Sequence, residues 1–329
     1  MPYLRIRAFS FLPMLVAFVG FSTFRGTMDV TTSVKIALFA NIVTLVLDPI
    51  LIHVMGLGVR GSAFAALAGD LVNAAINLKL LTDKNLIHVK KLLRLPSWAR
   101  VAPLLKGGIA LQIRSLALNL TQLMSTRTIQ SIDGTGVAPA AHALAMQTFM
   151  MGGIFLGALG MSTQTMIPNA MAKEKYPEHA SFEQSTSYVD LLVRRLFRWG
   201  IGLGVTVGLI QMALIPIILN SSPLVEVRQA ARIPALLSMS FQWISGFVNV
   251  GEGVMMGMGD FTHLAVNIVV GAFAYIGALR LFSPTFGLTG VWMGNAVFAM
   301  VRAAGVVFHS LSKKRLEPLS GDLQESEAE

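Results

Sequence analysis

Cysteine is absent from all 329 residues, which excludes disulfides, thiolate metal sites and a cysteine nucleophile. Charge is scarce as well. Asp, Glu, Lys and Arg make up 13% of the chain, against about 25% in soluble domains. No P-loop, H-E-x-x-H or G-x-S-x-G occurs, so an enzyme is the weakest reading and no cofactor is expected. "GLGVRG", 56–61, fits G-x-G-x-x-G but joins two apolar stretches without a preceding strand, so it does not read as a dinucleotide site. Acidic residues number 17 and basic ones 26, a formal charge of +9. The basic residues lie between apolar runs rather than in an aromatic-interleaved stripe, so nucleic acid is not the expected partner.

What is abundant is apolar surface: 54% of residues are hydrophobic and the mean hydropathy is +0.65. A soluble protein of this length could not hide so much of it, and the lipid bilayer is the partner implied. A helix crossing a bilayer needs about 20 mostly apolar residues. Nine stretches qualify, near 8–24, 34–55, 61–81, 108–130, 137–162, 199–219, 233–256, 262–282 and 287–310. Only helices suit them, because backbone groups in lipid must bond within their own segment, and the runs are too continuous for barrel strands. The expected fold class is an all-α polytopic membrane protein.

Placing the connectors alternately leaves 15 Lys/Arg on one side and six on the other. By the positive-inside rule the C-terminus is cytoplasmic. The connector 82–107, with six Lys/Arg, invites a short amphipathic surface helix with Trp98 at headgroup depth. The acidic end, 313–329, is expected to be a disordered cytoplasmic tail. An odd number of spans puts the N-terminus outside, yet "MPYLRIRAFS" is no signal peptide, so a preceding segment is expected.

An internal repeat supports that expectation. "FRGTMD", Phe24 to Asp29, recurs as "MMGMGD", Met255 to Asp260, with Gly26 over Gly257 and Asp29 over Asp260, at an offset of 231. "GVRG" at Gly58 recurs as "GLTG" at Gly287, at an offset of 229. Two motifs in one order at nearly one offset indicate a parallel repeat of six spans, of which the first copy is three spans short. The expected whole is a twelve-helix, two-lobe bundle. This chain would contribute 1–82 as the second half of the first lobe, 83–107 as a cytoplasmic linker and 108–312 as the second lobe.

The stretch from "YLRIRAFSFLPMLVAFVGFSTFRGTMDVTTS" through "NIVTLVLDPILIHVMGLGVRGSAFA" resembles spans four to six of the multidrug and toxic compound extrusion (MATE) transporters. "GVAPAAHALAMQTFMM" and "GEGVMMGMGDF" are similar to second-lobe motifs of that family. The likeness is nearest to its eukaryotic detoxification branch, which includes citrate exporters. It implies an antiporter, expected as a monomer, that exports a small organic substrate from a central cavity while H⁺ or Na⁺ enters. The family's first-lobe coupling aspartate falls in a span this chain lacks. Glu252 stands where the family usually has Asp, and Arg114 and Arg127 occupy a span that is acidic in many cation exporters.

A charge in mid-span costs about 2.5–3.5 kcal/mol on insertion scales, so each should face protein or water. Glu252, between two glycines, is the first candidate for ion coupling, with an arginine ion pair as the alternative. Asp48 in "LVLDPILI" is either a cation site or an anchor bonding the backbone kinked by Pro49, and the anchor is preferred. Asp70, Asn73 and Asn77 form a polar stripe that either lines a cavity or bonds a neighbouring helix. Arg114, Asn119 and Gln122 make one span unusually polar. Arg114 is either a cradle for a substrate carboxylate or an ion-pair partner of Asp70 or Glu252. His142 is taken as a packing residue rather than a proton relay. Asp29 and Asp260 look like caps or gates of the repeated turns. Arg302 calls for a partner that the sequence does not name. "GIGLGVTVG", 200–208, reads as close helix packing.

The rival functions are a lipid-linked substrate flippase and a non-transporting fragment. Plasma, vacuolar and plastid membranes remain open.

Overall fold

The computed structural model describes residues 2–87, 97–175 and 188–326, and every regular element among them is helical. α1 (Pro2–Ala8), α2 (Phe11–Gly26), α3 (Val30–Pro49) and α4 (Val59–Asp83) lie in one compact unit, Met1–Trp98. The second unit, Ala99–Glu329, holds α5 (Trp98–Ile132, from its second residue), α6 (Val137–Lys175), α7 (Tyr188–Asn220), α8 (Val225–Ser240), α9 (Gln242–Gly257) and α10 (Phe261–Ser326). The surface helix expected within 82–107 falls largely outside the described residues, as do 176–187 of the basic connector and 327–329. α10 runs to Ser326, over most of the stretch for which a disordered tail is expected.

Among the described residues six helices are long and apolar enough to cross a membrane, and seven if α8 and α9 count as one span bent by 46°. α2 is apolar but has only 16 residues. α10 is two helices joined at Gly287, whose φ of 53° and ψ of −129° leave the helical region. With α2 counted and α10 divided, each of the nine apolar stretches lies on a helix. The stretch 233–256, read as one span, contains the bend at Phe241 (φ −105°, ψ 18°). Outward faces are apolar: only 11% of the most hydrophobic window of Val30–Val54 is buried inside the protein. Leu45, Leu104, Ile217 and Phe273 are exposed large side chains. Such surfaces are suited to lipid.

The repeat is present in the backbone. After α2 the amides of Thr27, Met28 and Asp29 donate to the carbonyls of Thr23, Arg25 and Phe24. After α9 those of Met258, Gly259 and Asp260 donate to Val254, Met256 and Met255, each pair displaced by 231. This is the Schellman closure, with Met28 (φ 62°) and Gly259 (φ 78°) as the left-handed residue. Gly58 and Gly287 share φ 53°, with ψ of −130° and −129°, at the offset of 229. The two residues by which the offsets differ lie between Leu51 and Gly58. There Pro49, which has no N–H and crowds the carbonyl four residues back, is followed by the π turn Ile50–Val54. The second copy passes from Phe282 to Gly287 without them.

Small residues set the packing distances. A Cβ on Gly61 would strike the Leu51 carbonyl, and one on its counterpart Gly290 the Phe282 carbonyl. In the second unit Gly204 and Gly208 of α7 lie against the backbones of Gln242 and Met239, and Gly200 against that of Gly246. The close packing expected of "GIGLGVTVG" is therefore real. Trp292, Met239, Phe241, Ala145 and Ala235 make one buried core cluster of this unit.

Candidate functional site

Glu252 lies on α9 with 3% of its side chain exposed. Its neighbours explain how a carboxylate comes to be so enclosed. Gly251 abuts Val306 of α10, and Gly253 abuts the Gly160 carbonyl of α6, so both helices press in where a Cβ would stand. The carboxylate is shared by two arginines. Arg114 Nη2 donates to Oε2 at 2.8 Å, and Arg302 donates to Oε1 through Nε at 2.9 Å and through Nη2. Arg302 is also placed by the ring of Phe298, 5.1 Å from its guanidinium carbon. Arginine keeps its proton in proteins, so with Glu252 ionised the trio carries a net charge of +1. Arg114 Nε is buried and has no hydrogen-bond partner among the described residues.

Of the two readings of Arg114 as an ion-pair partner, Glu252 is the acid it meets. Asp70 instead accepts from Arg7 Nη1 at 2.7 Å, within the first unit. Asn77 Nδ2 donates to the Asn73 carbonyl and to Asn73 Oδ1, at 2.9 and 2.8 Å, and its side chain covers Gly20 of α2. Within that stripe the two asparagines bond along their own helix and pack on α2, whereas Asp70 bonds α1. Asn119 and Gln122 are exposed on α5 and do not join the hydrogen bonds around Arg114. Arg127 is exposed too. His142 is buried against Trp292, ring centroids 5.6 Å apart, as a packing residue should be, though neither ring nitrogen has a partner among the described residues.

The backbone bond expected of Asp48 is not made by its Oδ1, which is buried without a partner among the described residues. The π turn that follows Pro49 widens the helix and closes through the Met55 amide onto the Ile50 carbonyl, leaving the carboxylate out of the break. Asp29 caps α3: it accepts from the Thr32 amide at 3.2 Å and the Thr32 hydroxyl at 2.7 Å, and it pairs with Lys84. The Lys84 ammonium, then the Thr32 donors, hold its carboxyl down to about 2. Asp260 Oδ2 lies 2.8 Å from His309 Nε2. Gly257 is a packing position against Ile167 and Pro168, whereas Gly26 has open space.

The residues that sequence reasoning missed are Arg302 as the second partner of Glu252, and Arg7 as the partner of Asp70. Registering the two repeat copies would have put Arg302 over Asn73 and Glu252 over Phe21, a polar pair over a far less polar one.

No family model matches the chain. Two curated relatives from Arabidopsis thaliana are Protein DETOXIFICATION 44, chloroplastic, 26% identical over 91% of this chain and 55% of its own length, and Protein DETOXIFICATION 43, 26% identical over 92% and 54%. The chain thus spans about half the length of the curated relatives it matches. A crystal structure of MATE in the bent conformation superposes with a TM-score of 0.85 at 18% identity, covering 97% of this chain and 70% of that one. The Vibrio cholerae MATE transporter VcmN in the bent form gives 0.82 at 18%, covering 96% and 70%. At such identity the solved structures establish the fold alone. The chain is a relative of the plant DETOXIFICATION proteins in sequence and has the fold of the MATE transporters.

Proposed function

We propose that this chain is the part of a secondary active exporter that binds an organic anion, moving it by alternating access in exchange for H⁺ or Na⁺. The observation that carries the anion is the trio of Glu252, Arg114 and Arg302: two guanidiniums on one carboxylate inside a span, with a spare buried donor at Arg114 Nε. A net positive cluster in low dielectric repels a cationic substrate and favours a carboxylate, which guanidinium binds in bidentate fashion. Glu252 then acts as an internal stand-in for the substrate, holding the arginines when the carrier is empty.

This arrangement fixes the sign of any proton linkage at Glu252. The substrate anion and ionised Glu252 compete for the same donors, so binding the anion favours protonation of Glu252, and a proton taken up there travels with the anion. Exchange against an entering H⁺ or Na⁺ therefore needs a different acid. Asp70 is already paired with Arg7. Asp48, with a buried and unpartnered oxygen, is the better candidate for the driving ion.

The test is uptake into proteoliposomes of a citrate-like tricarboxylate and of a cationic dye under an imposed H⁺ or Na⁺ gradient. The tricarboxylate should be carried and the dye not. Glu252→Gln should tighten the apparent affinity for the anion and remove its linked proton. Asp48→Asn should uncouple transport from the gradient. Preference for the dye, or an anion affinity unchanged by Arg114→Gln, overturns the reading.

A further inference from the structure

The turns that close the two repeat copies each present an aspartate, and the second has two histidines beside it at positions where the first copy has no histidine. Around Asp29 stand Thr32 and the Lys84 ammonium. At the offsets of the repeat, Thr32 corresponds to His263 and Leu80 to His309. His309 is buried with Nε2 2.8 Å from Asp260 Oδ2. His263 is exposed in the first turn of α10, its ring centroid 5.5 Å from that of His309. One ligand atom from each of Asp260, His263 and His309 lies within 4.8 Å of the other two.

We propose that Asp260, His263 and His309 form a binding site for a first-row divalent transition metal of the Zn²⁺ type. Two imidazoles and one carboxylate are a donor set that suits such ions and leaves Ca²⁺ and Mg²⁺, which take oxygens, poorly served. Bond lengths of about 2.0–2.1 Å around a tetrahedral ion put its ligand atoms about 3.3 Å apart. The contact between Asp260 and His309 therefore has to open by about half an ångström, while the more distant donors close in. His263 can supply that closure by rotating its exposed side chain. Three protein ligands leave a fourth position for water. The hydrogen bond between Asp260 and His309 would by itself need one histidine, and the metal gives the second a role. A bound ion would fasten the turn after α9 to the far end of α10.

The experiment uses the tag-free full chain in detergent micelles, titrated calorimetrically with Zn²⁺ alone, with Mg²⁺ as the comparison and the visible absorption of bound Co²⁺ as a reporter of coordination. Expected are one saturable equivalent of Zn²⁺, no saturable Mg²⁺ binding, and at least tenfold weaker Zn²⁺ binding in His263→Ala. That variant is exposed and should fold. Zn²⁺ should also raise the unfolding temperature of the unaltered chain but not of His263→Ala. Asp29→Asn, at the corresponding turn, should leave Zn²⁺ binding unchanged. Absence of a saturable equivalent, or an affinity indifferent to both His263→Ala and Asp260→Asn, overturns the proposal.

Discussion

The segment from α2 to α4 and the segment from α9 to the end of α10 are two versions of one backbone with different interiors. Their closing turns share three hydrogen bonds, and their second turns share a glycine at φ 53°. Gly20 packs against Asn77 as Gly251 packs against Val306, both pairs related by the same two offsets. The polar residues do not follow. Phe21 and Asn73 stand where the second copy has Glu252 and Arg302. Asp70 of the first copy meets Arg7 at a half-buried site instead. Backbone geometry is retained because turns and small-residue contacts are needed to close any such bundle. Buried charge is retained only where something uses it, since an ion pair in a protein interior recovers little of its desolvation cost.

The largest expected difference between the copies is in the cost of removing the acid. Glu252→Ala strands two guanidiniums, and losing one member of a buried ionic group costs about 3–5 kcal/mol. Asp70→Ala removes a partly solvated pair, for which about 1 kcal/mol is the expected scale. Thermal unfolding of both variants in the same detergent checks this, and equal losses would break the claim that the second copy concentrates the charge. Double replacement of Glu252 and Arg114 should lose less than the sum of the single changes, because only Arg302 is then left stranded.

A smaller effect should be shared. Gly58 and Gly287 have the same positive φ, and a Cβ finds open space at Gly58 and only Ile132, at 3.9 Å, near Gly287. The cost of Gly58→Ala and of Gly287→Ala is therefore backbone strain alone, on the order of 1–3 kcal/mol each. Unfolding measurements should give two values within a few tenths of a kcal/mol, the usual scatter between independent sites. A large inequality would mean that the π turn before Gly58 absorbs strain that the second copy cannot.

How much of this was legible in the sequence depends on the range of the interaction. The nine apolar stretches, the repeated turns and the packing role of 200–208 are local patterns, and each lies where its spacing put it. The bend at Phe241 was missed because a span read by hydropathy has no direction. The backbone bond expected of Asp48 is not made by its Oδ1, because after Pro49 the chain continues in a π turn whose Ile50 carbonyl takes the Met55 amide. Arg114, Glu252 and Arg302 are 138 and 50 residues apart along the chain. Their convergence is a property of helix packing, which sequence reasoning could offer only as one of several pairings. Asn119 and Gln122 share the helix of Arg114 and are exposed, outside the hydrogen bonds that join Arg114 to Glu252.

The smallest effect is a pH dependence at the first closing turn. Asp29 is the N-cap of α3, and the Lys84 ammonium, then the Thr32 hydroxyl and amide, hold its carboxyl at about 2 against an ordinary 3.8. A carboxyl more acidic in the folded chain than in the unfolded one adds stability that is present in full above pH 3.8 and is lost as pH falls toward 2. Asp29→Asn should therefore narrow the stability gap to the unaltered chain between pH 5 and pH 2, the two curves converging at the acid end. Because the site is open to solvent, salt should shrink the gap as well. Lys84→Met should reproduce most of the loss, since the ammonium is the largest contributor. If the gap persisted unchanged at pH 2, the aspartate would be acting through shape rather than charge.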